Sequence, residues 1–409
     1  MLDRNRSRSV LLNTLVDDTT KHNESHASDF YYAVQISVCL LKPIGAWPLT
    51  DDETSRFKIA RHKMSMLIAT FLMLFSIVPW MLNTFVTEKM SVYLIIRVSC
   101  SLLFLLMVFA KYVLLLWHQD QLKICISHVA DDWRSVLLAE DREVMLKNAR
   151  MGRTFGIVSM TFMFSCDILY HTLPLVTPKM INEDNVTIRV HPSPCELLVL
   201  DSKSSPVYEI VYLLQLLGGY TTDSVFCGIC SLMANLVTHV SGQCNVLTSV
   251  FEEIVDGGKR NAGSIEDRIT TAVTRHLRLL KLVSVVSNLF IEICLVEFVN
   301  ASCNICLLGY YVIIDVYNNE SFVQIFMYAF GLVSVIFNVF IFCYIGDLLK
   351  ERCQEVGTAC YSIEWYRMPP KIAIKLMMPI LMSRYPVALT AGKLMTMSIP
   401  TFSFVSNVV

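Results

Sequence analysis

Six uninterrupted apolar runs, each as long as a bilayer's hydrocarbon core is thick, constrain this 409-residue chain more than any other feature. A core of ~30 Å takes about 20 helical residues at ~1.5 Å each. Runs that meet this occupy residues 64–86, 92–117, 154–177, 207–237, 277–314 and 322–346, and a weaker seventh occupies 386–409. Inside lipid, only helices and closed barrels satisfy every backbone N–H and C=O group, and continuous runs point to helices. The expected fold is an all-α membrane protein with seven transmembrane helices. Residues 1–63 are too polar at their start for a cleaved leader, so the first run serves as an uncleaved anchor. Within that segment, residues 30–47 are apolar enough to predict a short helix lying on the membrane surface.

Charge sets the orientation. Of the Lys and Arg flanking the runs, 20 fall ahead of run one and between runs two and three, four and five, and six and seven. Only four, Lys89, Lys179, Arg189 and Lys203, fall on the other side. Basic loops stay in the cytoplasm, which predicts a cytoplasmic N-terminus and an extracellular C-terminus. Asn185-Val-Thr then lies in an outer loop as a glycosylation acceptor. The triplets at Asn23, Asn300 and Asn319 fall in the cytoplasm, inside a run and close against the membrane. The net charge of −1 leaves no basic excess to track a phosphate backbone, so no nucleic-acid partner is expected; membrane lipid is.

Enzyme chemistry finds no support. No glycine-rich phosphate loop, GxSxG elbow or HExxH helix occurs, and no cofactor or metal is expected. Cys227/Cys230 and Cys303/Cys306 have zinc-knuckle spacing, but both pairs lie inside apolar runs, where cysteine packs as a small hydrophobe. Ionisable residues inside the runs are more informative, because they are costly there. Arg97 and Asp167, both in outer halves, have the chemistry to pair across a pocket, or Arg97 extends to the outer headgroups. Lys111 is expected to extend toward the inner interface, while Asp223, Glu292 and Glu297 face protein or a water-filled path. Aromatic residues and methionine crowd the outer halves, in keeping with an apolar cavity for a small ligand.

The stretch after the sixth run carries a resemblance. It reads Tyr344-Ile-Gly-Asp, then Trp365, then residues 371–386, then Leu389-Thr-Ala-Gly-Lys393 and Ser398-Ile-Pro-Thr-Phe402. Together with residues 205–215 entering the fourth run, it resembles the insect odorant receptor family. The resemblance implies an odorant-gated, non-selective cation channel subunit. Its partners would be a small volatile hydrophobic odorant and a shared olfactory co-receptor subunit in a heterotetramer. Its location would be the plasma membrane of olfactory sensory neurons. It also implies a layout: a cytoplasmic segment over 1–63, helices one to six over 64–346 with the ligand pocket in their outer half, a cytoplasmic anchor over 347–385, and a pore-lining helix over 386–409.

By depth in the runs, the resemblance places Tyr93, Ile96, Phe164, Asp167, Ile168, His171, Tyr212, Leu216, Phe326 and Phe330 at the pocket. It places Ser398, Thr401, Phe402, Val405 and Ser406 along the pore. Family members continue beyond the point corresponding to Val409, and residues 398–409 make only ~18 Å of helix, so the last helix is expected to be truncated. Two rivals stand beside this reading. A gustatory receptor of the same superfamily shares most of these features. A G-protein-coupled receptor would need the opposite orientation, and Asp141-Arg142 lies ahead of the third run instead of ending it.

Overall fold

The apolar runs form helices that continue well past their apolar ends. The computed structural model describes residues 26–49, 55–86, 92–176, 180–181, 187–188, 191–193, 205–258, 260, 263–319 and 321–406, with the side chains at 83–98, 174–188 and 405–406 outside that description. In chain order the helices are α1 (26–41), α2 (Arg56–Val86), α3 (Val92–Trp117), α4 (Gln119–Ser135) and α5 (Ala139–Val176). Then come α6 (Val207–Glu252), α7 (Ile265–Tyr317), α8 (Phe322–Ser362), α9 (Pro370–Ala373), α10 (Met377–Arg384) and α11 (Ile399–Ser406). Two short antiparallel hairpins add β1–β2 (Met180–Ile181, Thr187–Ile188) and β3–β4 (Thr390–Ala391, Met395–Thr396).

Among the described residues, five helices are long and apolar enough to cross a membrane: α2, α3, α6, α7 and α8. The third run lies on α5, which is made more polar by Asp167 and His171. Helix α6, with 46 residues, and α7, with 53, reach ~69 Å and ~80 Å, more than twice the hydrocarbon thickness. The excess lies at the end where Lys and Arg cluster, called the basic end below. There α7 begins with a capping box. The Ser264 hydroxyl accepts from Asp267 N, while the Asp267 carboxylate accepts from Ser264 N at 3.2 Å. Arg260 closes the α6–α7 turn against Asp141 (2.8 Å), Glu140 (3.2 Å) and Glu253. A cavity of about 340 Å³ opens beside it, lined by Asp132, Asp141, Arg260 and Arg278 among others. These four are already paired, Arg278 to Asp132 at 2.8 Å and Arg260 to Asp141, which makes the region an ionic joint between α4–α5 and α6–α7.

Helix α1, expected on the membrane surface, packs against the bundle, with Leu40 and Leu41 buried on it and Ile44 and Ala46 buried just after it. Its polar side explains why. Arg142 donates to both Asp29 oxygens (2.5 and 3.0 Å), and Arg153 donates to Gln35 and stacks on Tyr32. Ser37 donates to Ser231 on α6. Two faces, one apolar and one bonded to α5 and α6, hold the helix inward.

The seventh run also divides. Its first part forms the β3–β4 hairpin, turned by Gly392 and Lys393, both at positive φ. Residues 392–394 form the three-residue loop between Ala391 and its partner Met395, and two successive positive-φ residues suit the twist of the strands. Only 399–406 are helical, as α11.

Candidate functional site

Helix α8 connects two constellations. Toward the end away from the basic loops, α5, α6 and α8 bring together aromatic rings and a few polar groups. The Phe162 ring lies 5.9 Å from Phe330 and 5.3 Å from Phe337, and Phe164 lies 5.5 Å from Tyr220. Phe326 stacks on Phe330 at 5.9 Å. The His171 Nδ1 lies 3.1 Å from the Asp167 carboxylate one turn earlier. Tyr212 donates to the His171 carbonyl at 2.8 Å, and Gln215 to the Ser193 carbonyl at 3.1 Å. Cys166 and Ser334 approach to 3.3 Å, joining α5 to α8. Gly219 permits the approach of α5. A Cβ there would stand 2.6 Å from Asp167 Oδ1 and 2.8 Å from His171 Cε1.

Of the residues expected at the pocket, Phe164, Asp167, His171, Tyr212 and Phe330 therefore meet around α5, α6 and α8, whereas Phe326 is 47% exposed and stacks along its own helix on Phe330. Ile168 does not; it is 63% exposed and faces out of the bundle. Consecutive helical residues diverge by about 100°, so Asp167 and Ile168 cannot share a face. The same geometry turns Leu216 outward, because its neighbour Gln215 is buried. The Tyr93, Ile96 and Arg97 side chains, and Asn185, lie outside the described residues, and so does the expected Arg97–Asp167 pair; Asp167 bonds His171. Gln215 and Gly219 are the residues missed, and they line up with Asp223. They recur every four positions on α6, a polar and small stripe in an apolar run, and that spacing is the signal that finds them.

One charge inside an apolar run also corrects an expectation. Lys111 does not extend toward the inner interface. Its side chain is 1% exposed, bonds Glu297 at 2.5 Å and sits 4.0 Å from the Phe226 ring centroid. A carboxylate on the adjacent helix satisfies the ammonium locally, so its stem need not reach water.

Toward the basic end, α8 receives α11. A Cβ at Gly346 would stand 2.2 Å from the Met397 carbonyl oxygen, so only glycine lets the strand pass. The Asp347 carboxylate accepts from Ile399 N at 2.7 Å, satisfying one of the orphan amides that begin α11. Phe340 meets Phe402 edge-on at 5.4 Å and stacks on Tyr344. Phe402, expected along a pore, thus packs against α8. Ser398 and Thr401 bond each other at 3.0 Å as part of the helix start. The outward side of α11 carries Ser403 and Phe404, while the Val405 and Ser406 side chains lie outside the described residues.

A bundle of membrane-crossing helices, with a mixed aromatic and polar cluster at one end and a short helix docked on the same α8 at the other, defines a multi-pass receptor-like membrane protein. The sequence profile of the 7tm Odorant receptor family matches residues 91–409, and the chain belongs to that family. It is 24% identical over 209 residues to Odorant receptor 10 of Aedes albopictus, covering 51% of this chain and 55% of the relative. It is 25% identical over 202 residues to Odorant receptor 67c of Drosophila melanogaster, covering 49% and 48%. The chain thus spans about half the length of these curated relatives. The fold is similar to that of the insect olfactory receptor OR5 from Machilis hrabei in complex with eugenol, with a TM-score of 0.79 at 11% identity, covering 94% of this chain and 96% of that one.

Proposed function

We propose that this chain is the odorant-binding subunit of an odorant-gated, non-selective cation channel that works with a shared co-receptor subunit in a heterotetramer. Its place is the plasma membrane of olfactory sensory neurons, with the basic end in the cytoplasm. The observation that carries this reading is the double role of α8. Phe330 and Ser334 join it to the aromatic and polar cluster, while Gly346 and Asp347, on the same rigid helix, hold the start of α11. Sixteen residues separate Phe330 from Gly346, ~24 Å of helix, so a ligand that tilts one end of α8 moves α11 at the other. The solved receptor with eugenol supports a small aromatic odorant as the ligand class.

The mechanism needs no bond to be made or broken. An odorant enters among α5, α6 and α8, repacks Phe162, Phe164 and Phe330, and favours the arrangement in which α11 stands away from the pore axis. Only differential affinity for that arrangement shifts its population; equal affinity for both shifts nothing. The exposed Trp365, Tyr366, Met377, Leu381 and Tyr385 beyond α8 provide an apolar face for a neighbouring subunit.

Co-expression with a co-receptor in cells, with cation current recorded against an odorant panel under G-protein blockade, tests the reading. Odorant-evoked current that persists under blockade is expected. Current that needs a G protein, or silence to the whole panel at confirmed surface expression, overturns it.

A further inference from the structure

The aromatic rings of α8 do not form one unbroken row. Phe330, in the aromatic and polar cluster, and Phe337 are seven residues apart, ~10 Å along the helix axis, which is too far for their rings to touch. Phe162, on α5, fills that gap, with its ring 5.9 Å from Phe330 and 5.3 Å from Phe337. Beyond it, Phe337 lies 6.3 Å from Phe340, and Phe340 meets Phe402 of α11 edge-on at 5.4 Å. Among the described residues, the cluster and α11 are therefore joined ring to ring, and the join leaves α8 once, at Phe162.

The backbones beside Phe162 are pinned. One turn before it, the Ser159 hydroxyl donates to Asn338 Oδ1 at 2.8 Å, with both residues fully buried. One turn after it, Cys166 and Ser334 approach to 3.3 Å. Positions three before and four after a helical residue share its side of the helix, so both pins and the ring face α8 together. At this level α5 and α8 cannot part without giving up those bonds, and the freedom that remains belongs to the ring. A phenylalanine side chain occupies discrete rotamer wells, and where rings are in contact a move between wells displaces the next ring. Repacking at Phe330 thus has a side-chain route to Phe402, besides any tilt of α8 as a whole.

We propose that Phe337 and Phe340 are positioning residues that carry ligand-induced repacking from Phe162 to Phe402 and so set the place of α11. This rests on the odorant-receptor reading and adds to it the side chains that link the ligand cluster to α11. What the two positions require is the ring. A flexible side chain of similar bulk fills the space, but it adapts to a moving neighbour instead of passing the movement on. Changing one member of a packed chain between two sites alters their coupling by a factor of about 2 to 30.

Two measurements test the relay. The first is a melting cycle without ligand. Phe162 and Phe402 lie two rings apart, so the shifts from Phe162→Leu and Phe402→Leu add within about 1 °C if nothing links them. The relay makes the double variant depart from that sum by about 1–4 °C. Phe337→Met, which keeps the bulk and removes the ring, restores additivity. Phe342→Met is the control: Phe342 is buried two residues on from Phe340, hence on the far side of α8, and its loss leaves the departure in place. The second measurement is current at saturating odorant, per receptor at the cell surface, with the panel compound that drives the parent chain most strongly as the probe. Phe337→Met lowers it about 3- to 30-fold, while Phe342→Met and the ring-keeping Phe337→Tyr stay within about 2-fold; thermal stabilisation by the same compound persists in all three. If Phe337→Met does not reach the surface, Phe340→Met, one ring further on, takes its place. Additivity in the parent chain, a departure that survives Phe337→Met, or equal loss of current in Phe337→Met and Phe342→Met overturns the relay. So does loss of stabilisation along with current in Phe337→Met, which would make Phe337 a binding residue. A panel silent on the parent chain at confirmed surface expression overturns the receptor reading instead, and the melting cycle then decides the relay.

Discussion

Two glycines on α8 should respond in opposite ways to the same added methyl group. At Gly346 a Cβ would stand 2.2 Å from the Met397 carbonyl oxygen and 3.0 Å from its carbonyl carbon and its Cβ. Ordinary contact begins near 3.4 Å, so about 1 Å must open between α8 and the strand. The obstacle is backbone and is held in place. Met397 N donates to the Leu389 carbonyl at 2.9 Å, and Gly392 N to the Ile291 carbonyl at 3.0 Å. Overpacking of this kind costs about 1–3 kcal/mol. For a chain this long, with about 2 °C lost per kcal/mol, the Gly346→Ala melting temperature should fall by about 2–6 °C. At Gly331 the nearest atom to an added Cβ is Leu308 Cδ1, at 4.0 Å. There the methyl meets no obstacle, and removing a helical glycine favours the fold by about 0.5–1 kcal/mol. Thermal unfolding of both variants in one detergent, with odorant current measured beside it, is the assay. A Gly346→Ala chain as stable and as active as the Gly331→Ala chain would refute the docking of α11 through Gly346.

Three further outcomes are expected. Asp347→Ala removes the acceptor for Ile399 N and should cost about 1 kcal/mol while raising hydrogen exchange at the start of α11, with Asp347→Asn milder because its amide oxygen still accepts; equal effects of the two variants count against the cap. Lys111→Met alone strands Glu297 in the bundle and should cost about 3–5 kcal/mol, seen as lost surface expression, whereas Lys111→Met with Glu297→Leu should restore most of it; a double variant worse than either single one contradicts the pairing. Hydrogen bonds from Ser264 hold the Asp267 carboxyl below its ordinary value, so its stabilising contribution is complete above the usual aspartate range and is lost as pH falls toward the depressed value. Melting curves of Ser264→Ala and the parent chain from about pH 6 to pH 3 should therefore converge on acidification, and parallel curves would rule out the capping box as their cause.

The resemblance in residues 344–402 becomes physical once α8 and α11 are seen together. Gly346 is glycine because a carbonyl passes it, Asp347 is acidic because it meets a helix's first amides, and Gly392-Lys393 turns a hairpin. These residues can be recognised in the chain, but their reasons cannot, since each partner lies on a different element. The pocket candidates divide along a similar line. Depth along a run is readable because residue count measures distance, and it brought Phe164, Asp167, His171 and Phe330 to one level. Rotation about the helix axis is not readable in the same way, and Ile168 and Leu216 turned outward.

By itself, the sequence determined the solvent. Runs as long as the hydrocarbon core, with Lys and Arg gathered on one side of them, admit helices across a membrane and little else. Only the tertiary structure decided which faces meet: Lys111 against Glu297, Asp167 against His171, and α1 drawn into the bundle. In water, an apolar stripe marks the buried face of a helix. In lipid, both faces of a helix are apolar, so the pattern that would reveal the inner face is lost and close approach between helices settles it.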